Sequence, residues 1–128
     1  MASIKGTPER HSYKANEALT KYRFVNQLES DEDKVELTDS QGDDDYALGI
    51  TATDAASGEH VDIFERDGDI VKLEIGEGID NGVLIAPGAA GVGMIADSTN
   101  LPRARAQRTG ATSGDVIPVK LIDQQVVA

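Results

Sequence analysis

No cysteine and no tryptophan occur anywhere in this chain of 128 residues, and three Tyr and two Phe are its only aromatic residues. The missing cysteine excludes a disulfide framework, a cysteine-based metal site and a thiol nucleophile. Five aromatics leave little to line a substrate cleft. Histidine occurs twice, as His11 and His60, and neither has a neighbour at a recognised metal-ligand spacing, so no metal site is expected. A Ser-His-Asp triad would have to be built from His60 and a serine that no motif marks. No apolar run approaches the ~18 residues of a membrane span, and residues 1–14 hold no apolar stretch of signal-peptide length. A soluble product made in the cytoplasm, without a membrane partner, is the expectation. Basic residues are also scarce: 12 Lys and Arg face 23 Asp and Glu, for a net charge of -11. Such a balance argues against a general nucleic-acid binder, because neutralising phosphates requires an excess of cations.

What the chain does have is β-branched residues and turns. Leu, Ile, Val and Phe make up 30 residues, and 20 of these are Val or Ile. With 13 Gly spread between the apolar runs, this favours pleated, turn-rich structure over helices. The length suits one compact domain with a lean core. Charge divides the chain unevenly. Up to Arg23 there are five basic and two acidic residues, a net of +3; from Phe24 onward there are seven basic and 21 acidic residues, a net of -14. Residues 1–21 show no sustained apolar periodicity and read as an extended N-terminal arm, with a single β domain over residues 22–128. Like charges at the density of the acidic part repel one another in dilute buffer and are screened in concentrated salt, which suits either a salt-loving setting or simple solubility.

Alternation is clearest at Val71, Leu73 and Ile75, with Lys72 and Glu74 between them, as a strand with one wet face requires. Upstream, Val61 and Ile63 alternate as well, and the Asp67-Gly68 pair between the two runs has the composition of a tight hairpin turn. Further strands are expected over residues 22–27, 34–38, 46–53, 83–86, 93–96, 103–107 and 116–122. Pro118 within the last must sit at an edge or a bulge. Eight or nine short strands at this spacing predict a small barrel or sandwich. An echo accompanies them: Ala55-Ala56-Ser57-Gly58-Glu59 before one strand and Ala111-Thr112-Ser113-Gly114-Asp115 before the last share an Ala-x-Ser-Gly-acid pattern 56 residues apart. Duplication and independent use of the same turn chemistry explain five such positions equally well.

The remaining motifs point away from catalysis. Gly88-Ala89-Ala90-Gly91-Val92-Gly93 is continued by Met94-Ile95 where a phosphate loop needs Lys and Ser or Thr. No carboxylate stands in an apolar setting that would raise its pKa for acid catalysis. The run 39–45 carries oxygen ligands for a cation but lacks the ordered EF-hand spacing. Arg103, Arg105 and Arg108 are the only basic cluster beyond the arm, and alternation puts the first two on one face.

The stretch from Ala47 to Glu59, followed by Val61-Asp62-Ile63 and a glycine-punctuated segment, resembles the capsid decoration (cement) proteins of tailed viruses. The closing Ala-x-Ser-Gly-Asp and Val-x-Leu strand is similar too. The resemblance implies a non-enzymatic, all-β virion protein with a small β-barrel or β-tulip body and no cofactor. It implies a homotrimer seated on the outside of the major capsid protein lattice and reached by an extended arm. The acidic excess departs from ordinary members and fits a virus of a halophilic archaeon. Charge and position then assign the contacts: Arg10, Tyr13, Lys14, Lys21 and Arg23 of the arm to the capsid; Val83, Leu84, Ile85, Met94 and Ile95 to self-association; Arg103, Arg105 and Arg108 to secondary contacts. The other reading of the same residues is a small non-catalytic cation- or carbohydrate-binding β module.

Overall fold

The computed structural model describes residues 8–28, 30–38, 47–96 and 101–123; the acidic run 39–45 considered above for a cation lies outside them. Ten strands and one short 3-10 turn, Ala89–Gly91, make up the regular structure of the described residues. Five strands close into a barrel in the order β1-β3-β2-β4-β5: β1 (Arg10–Ala15), β2 (Phe24–Gln27), β3 (Lys34–Leu37), β4 (Gly49–Thr51) and β5 (His60–Phe64). β5 pairs back onto β1, which itself runs parallel to β3. A second five-stranded sheet has the order β6-β10-β9-β7-β8, from β6 (Ile70–Glu74), β7 (Leu84–Pro87), β8 (Gly93–Ile95), β9 (Ala104–Ala106) and β10 (Val116–Leu121). Its edge strands meet through one parallel bridge, Ile75 to Gly93.

The two sheets are copies of one unit. Advancing β1 and β2 by 60 residues, β3 by 58, β4 by 55 and β5 by 56 converts the pairings of the first into those of the second. Arg10 opposite Phe64 becomes Ile70 opposite Lys120, Phe24 opposite Ile50 becomes Leu84 opposite Arg105, and Ile50 opposite Phe64 becomes Arg105 opposite Lys120. Val25 opposite Leu37 becomes Ile85 opposite Ile95, and Ala15 opposite Val35 becomes the closing bridge Ile75 to Gly93. Loops follow the same rule. The Glu17 carboxylate accepts the Leu37 N–H at 3.0 Å, and the Glu77 carboxylate accepts the Ile95 N–H at 2.9 Å. The Ala-x-Ser-Gly-acid echo has the same cause, since Gly58 and Gly114 both take positive φ (88° and 94°) and donate at 2.8 Å to the carbonyls of the equivalent residues Ala15 and Ile75. Tyr22, at φ 71°, occupies the left-handed position that its counterpart Gly82 fills at φ 86°.

Each unit has its own apolar interior. Leu19, Val25, Val35, Val61 and Ile63 fill the first barrel, while Leu73, Ile75, Ile79, Ile85, Ile117 and Val119 line the second. The units are joined because Phe24 and Ile50, both wholly buried, and the partly buried Phe64 turn outward from the first barrel and pack into the second core. The full burial of Phe24 and of Ile50 contributes about 1.5–3 kcal/mol each. Backbone bonds seal the contact: where the first barrel closes by giving the Lys14 N–H to Asp33 O, the second gives the equivalent Glu74 N–H to Tyr22 O of the first at 2.8 Å. The first unit thus covers the seam that the second leaves open.

Three sequence expectations are corrected here. Residues 10–15 are not part of an extended arm: they form β1, the strand that closes the barrel between β3 and β5, and Ala15 and Leu19 enter its core. Asp67-Gly68 does make a turn, with Gly68 at φ 94° and the Asp69 N–H on Arg66 O, but it joins the two units instead of forming a hairpin, because β5 pairs with β1 and β4 while β6 pairs with β10. Pro118 lies in an inner strand. Its carbonyl accepts the Gln107 N–H, so its nitrogen faces the same side, past the last β9 pair Val119 to Ala106, where no ladder bond is required.

Candidate interaction surfaces

The cations expected to bind a capsid are partly committed within the chain. Arg10 reaches Asp62 at 3.4 Å and lies over the Phe64 ring, 5.4 Å from its centroid. Arg23 pairs with Glu74 at 3.2 Å and donates to Ala90 O at 3.0 Å, tying the two units together. Lys14 and Lys21 are exposed, Lys21 resting 5.2 Å from the centre of the Tyr22 ring. Lys14 also borders a shallow cleft between β1, β3 and β5 with Asp31, Asp33, Lys34 and His60. Its charges are of both signs.

Tyr13 belongs to a polar group that the sequence reading did not find. Its hydroxyl donates to a Glu65 carboxylate oxygen at 2.6 Å, and the same oxygen lies 2.7 Å from His11 Nδ1. Glu9 stands 3.3 Å from His11 Nε2 and pairs with Arg66 at 3.2 Å. Hydrogen bonds from Glu65 first and Glu9 second raise the His11 pKa above its ordinary value, since they stabilise the protonated ring. Partial burial, and then Glu65, push the Tyr13 phenol well above the usual range. The second unit holds Val71, Leu73 and Leu121 at the positions of His11, Tyr13 and Glu65, all within its core. More than 50 residues separate these partners in the chain, and only the β1–β5 pairing brings them together.

Of the residues expected to mediate self-association, Ile85 is wholly buried in the chain's own core and is withdrawn from that role. Val83, Leu84 and Met94 are half-buried, and Ile95 is 40% exposed. The arginine cluster separates into two kinds. Arg105 and Arg108 are exposed, with Arg105 donating to Gly82 O at 2.8 Å. Arg103 is only 3% exposed. Its guanidinium donates to the carbonyls of Ala47 (3.0 Å), Leu48 (2.9 Å), Glu65 (2.8 Å) and Ile122, and to the Asp67 carboxylate at 2.9 Å. The fork of donors is fully used to pin the second sheet to the first barrel, so Arg103 is a structural staple and no contact residue. Among the described residues no group of three or more His, Asp or Glu side chains is placed to hold a metal ion, and no helix is long and apolar enough to cross a membrane.

No protein-family model matches the chain, and no curated protein matches it. Among solved structures, the chain is similar to the crystal structure of the head fiber gp8.5 N base of bacteriophage phi29, with a TM-score of 0.69 at 15% identity over 94% of this chain and 98% of that one. At that identity the likeness is one of fold, and its coverage takes in both five-stranded units.

Proposed function

We propose that this chain is a structural protein of a virus head, carried on the outside of the capsid, where it binds the major capsid protein lattice as a homotrimer and stabilises contacts between its subunits. The observation that carries the reading is the likeness to a phage head fiber base along nearly the whole length of both chains. The independent resemblance of residues 47–59 to capsid decoration proteins points the same way. The role is one of attachment without catalysis. Three copies on one lattice would multiply weak contacts through effective concentration, so that each single contact need not be strong. The test is sedimentation of the purified chain with emptied shells and, separately, with free capsid subunits, alongside light scattering for its oligomeric state. Binding to shells by a trimer is the expected result. A chain that stays in the supernatant with shells at micromolar concentration refutes the attachment, and a monomer in solution and on the lattice refutes the trimer.

A further inference from the structure

The outward side of β6, β10 and β9 gathers cations and exposed aliphatic side chains on a protein of acidic composition. Three cations stand on it, Lys72, Lys120 and Arg105, all exposed, and none belongs to an ion pair among the described residues. Among the described residues of these three strands, the one carboxylate pointing the same way, Glu74, is taken by Arg23. Two of the three large apolar side chains exposed among the described residues lie here as well: Ile70 at 52% and Val116 at 43%. On a chain of net charge -11, cations with no carboxylate partner among the described residues, beside exposed aliphatic groups, are the composition of a contact face.

The duplication supplies a second argument. The row Ile70, Lys120, Arg105 and Leu84 across the second sheet is the counterpart of the row Arg10, Phe64, Ile50 and Phe24 across the first barrel. In the first unit that row is already an interface, since Phe24, Ile50 and Phe64 are packed into the second unit's core. In the second unit the same row is open, and its centre has changed from apolar to basic. Such a face suits a partner that brings charge of the opposite sign, and it repels an identical cationic face.

We propose that the outward face of β6, β10 and β9 is the docking surface of this chain, and that its occupant is a carboxylate-bearing protein surface with room for the Ile70 and Val116 side chains. This rests on the attachment reading above, under which the occupant belongs to the assembled shell. Charge complementarity sets the rate and register of docking, and the aliphatic pair supplies burial at its margins.

The experiment compares wild type with the triple variant K72E/R105E/K120E, with I70S/V116T, and with a K34E control on the first barrel, each first shown to keep its circular dichroism and urea midpoint. Co-sedimentation with emptied shells is measured in 0.15 M and 1 M NaCl. The expected result is at least a tenfold loss of occupancy for the triple variant, a smaller loss for I70S/V116T, none for the control, and weaker wild-type binding in 1 M salt, where the screening length falls to about 3 Å. Undiminished binding by a folded triple variant overturns the docking face while leaving attachment standing. Failure of wild type to sediment removes both. Two further outcomes also overturn the proposal: displacement of the chain from shells by equimolar duplex DNA, which would assign the cations to phosphate, and a wild-type oligomer that the triple variant converts to monomer, which would make the face a contact between copies.

Discussion

Replacing Arg103 by methionine is the sharpest test of how the two units are held. Methionine keeps the length and much of the volume of the side chain but removes every donor. Five hydrogen bonds disappear, four of them to backbone carbonyls. The bond to Asp67, a residue 55% exposed at its side chain, adds little in solvent. The bonds to the Ala47 and Leu48 carbonyls matter more, because they are buried and the loss of each charged donor costs about 1–3 kcal/mol. A total of about 4 kcal/mol follows from two such losses. Against a typical total of about 5–15 kcal/mol this is a large fraction. Urea denaturation followed by circular dichroism should show a midpoint lower by about 2 M, taking a slope of about 2 kcal/mol per M. R105M, two residues away, should change stability by less than about 0.5 kcal/mol. If R103M falls within 1 kcal/mol of wild type, the staple contributes nothing that packing does not already provide, and the argument from its hydrogen bonds is wrong.

Starting the chain at Lys21 removes β1 and exposes the edges of β3 and β5, so the truncated protein should lose its cooperative urea transition; a sharp transition at the wild-type midpoint would show that the barrel closes without β1. His11 has a raised folded pKa, so its stabilising effect is full below the ordinary histidine value of 6.5 and is lost as pH rises through the higher folded value. The urea midpoint should therefore fall across that window in wild type and stay level in H11Q, and equal slopes in the two would refute the assignment to His11. Raising KCl from dilute to molar should raise the melting temperature if repulsion among the 23 carboxylates limits stability, whereas a flat profile would return the acidic excess to solubility alone.

Strands with one wet face were legible in the sequence, since β6 and β10 alternate buried and exposed residues along their length. β1 was not. Only Ala15 of its six residues is buried, and the strand exists because β3 and β5 on either side supply partners that no local pattern reveals. Turn chemistry at Asp67-Gly68 was read correctly as a turn, but composition does not say which strands a turn joins. Arg103 and Arg105 look alike in sequence and diverge in the fold, because the first barrel supplies acceptors to one and leaves the other in solvent. The duplication left a faint trace because the equivalent outward residues serve opposite ends. Phe64 faces a core where Lys120 faces water, and Ile50 does so where Arg105 does. What the two halves preserve is register and turn geometry, which demand few particular residues.

Carrying two copies of one strand order in a single chain has a cost during folding, for β1 can meet β10 in the same register that β6 uses. The mismatched pair would insert His11 and Tyr13 where Val71 and Leu73 belong, and would strand polar atoms in an apolar core at about 1–3 kcal/mol apiece. The reverse exchange would leave Glu65 without its tyrosine and histidine partners. The hydrogen bonds of Glu65 to Tyr13 and His11 thereby favour β1 beside β5 over the exchanged pairing, a chemical difference between two strand pairs that share one register.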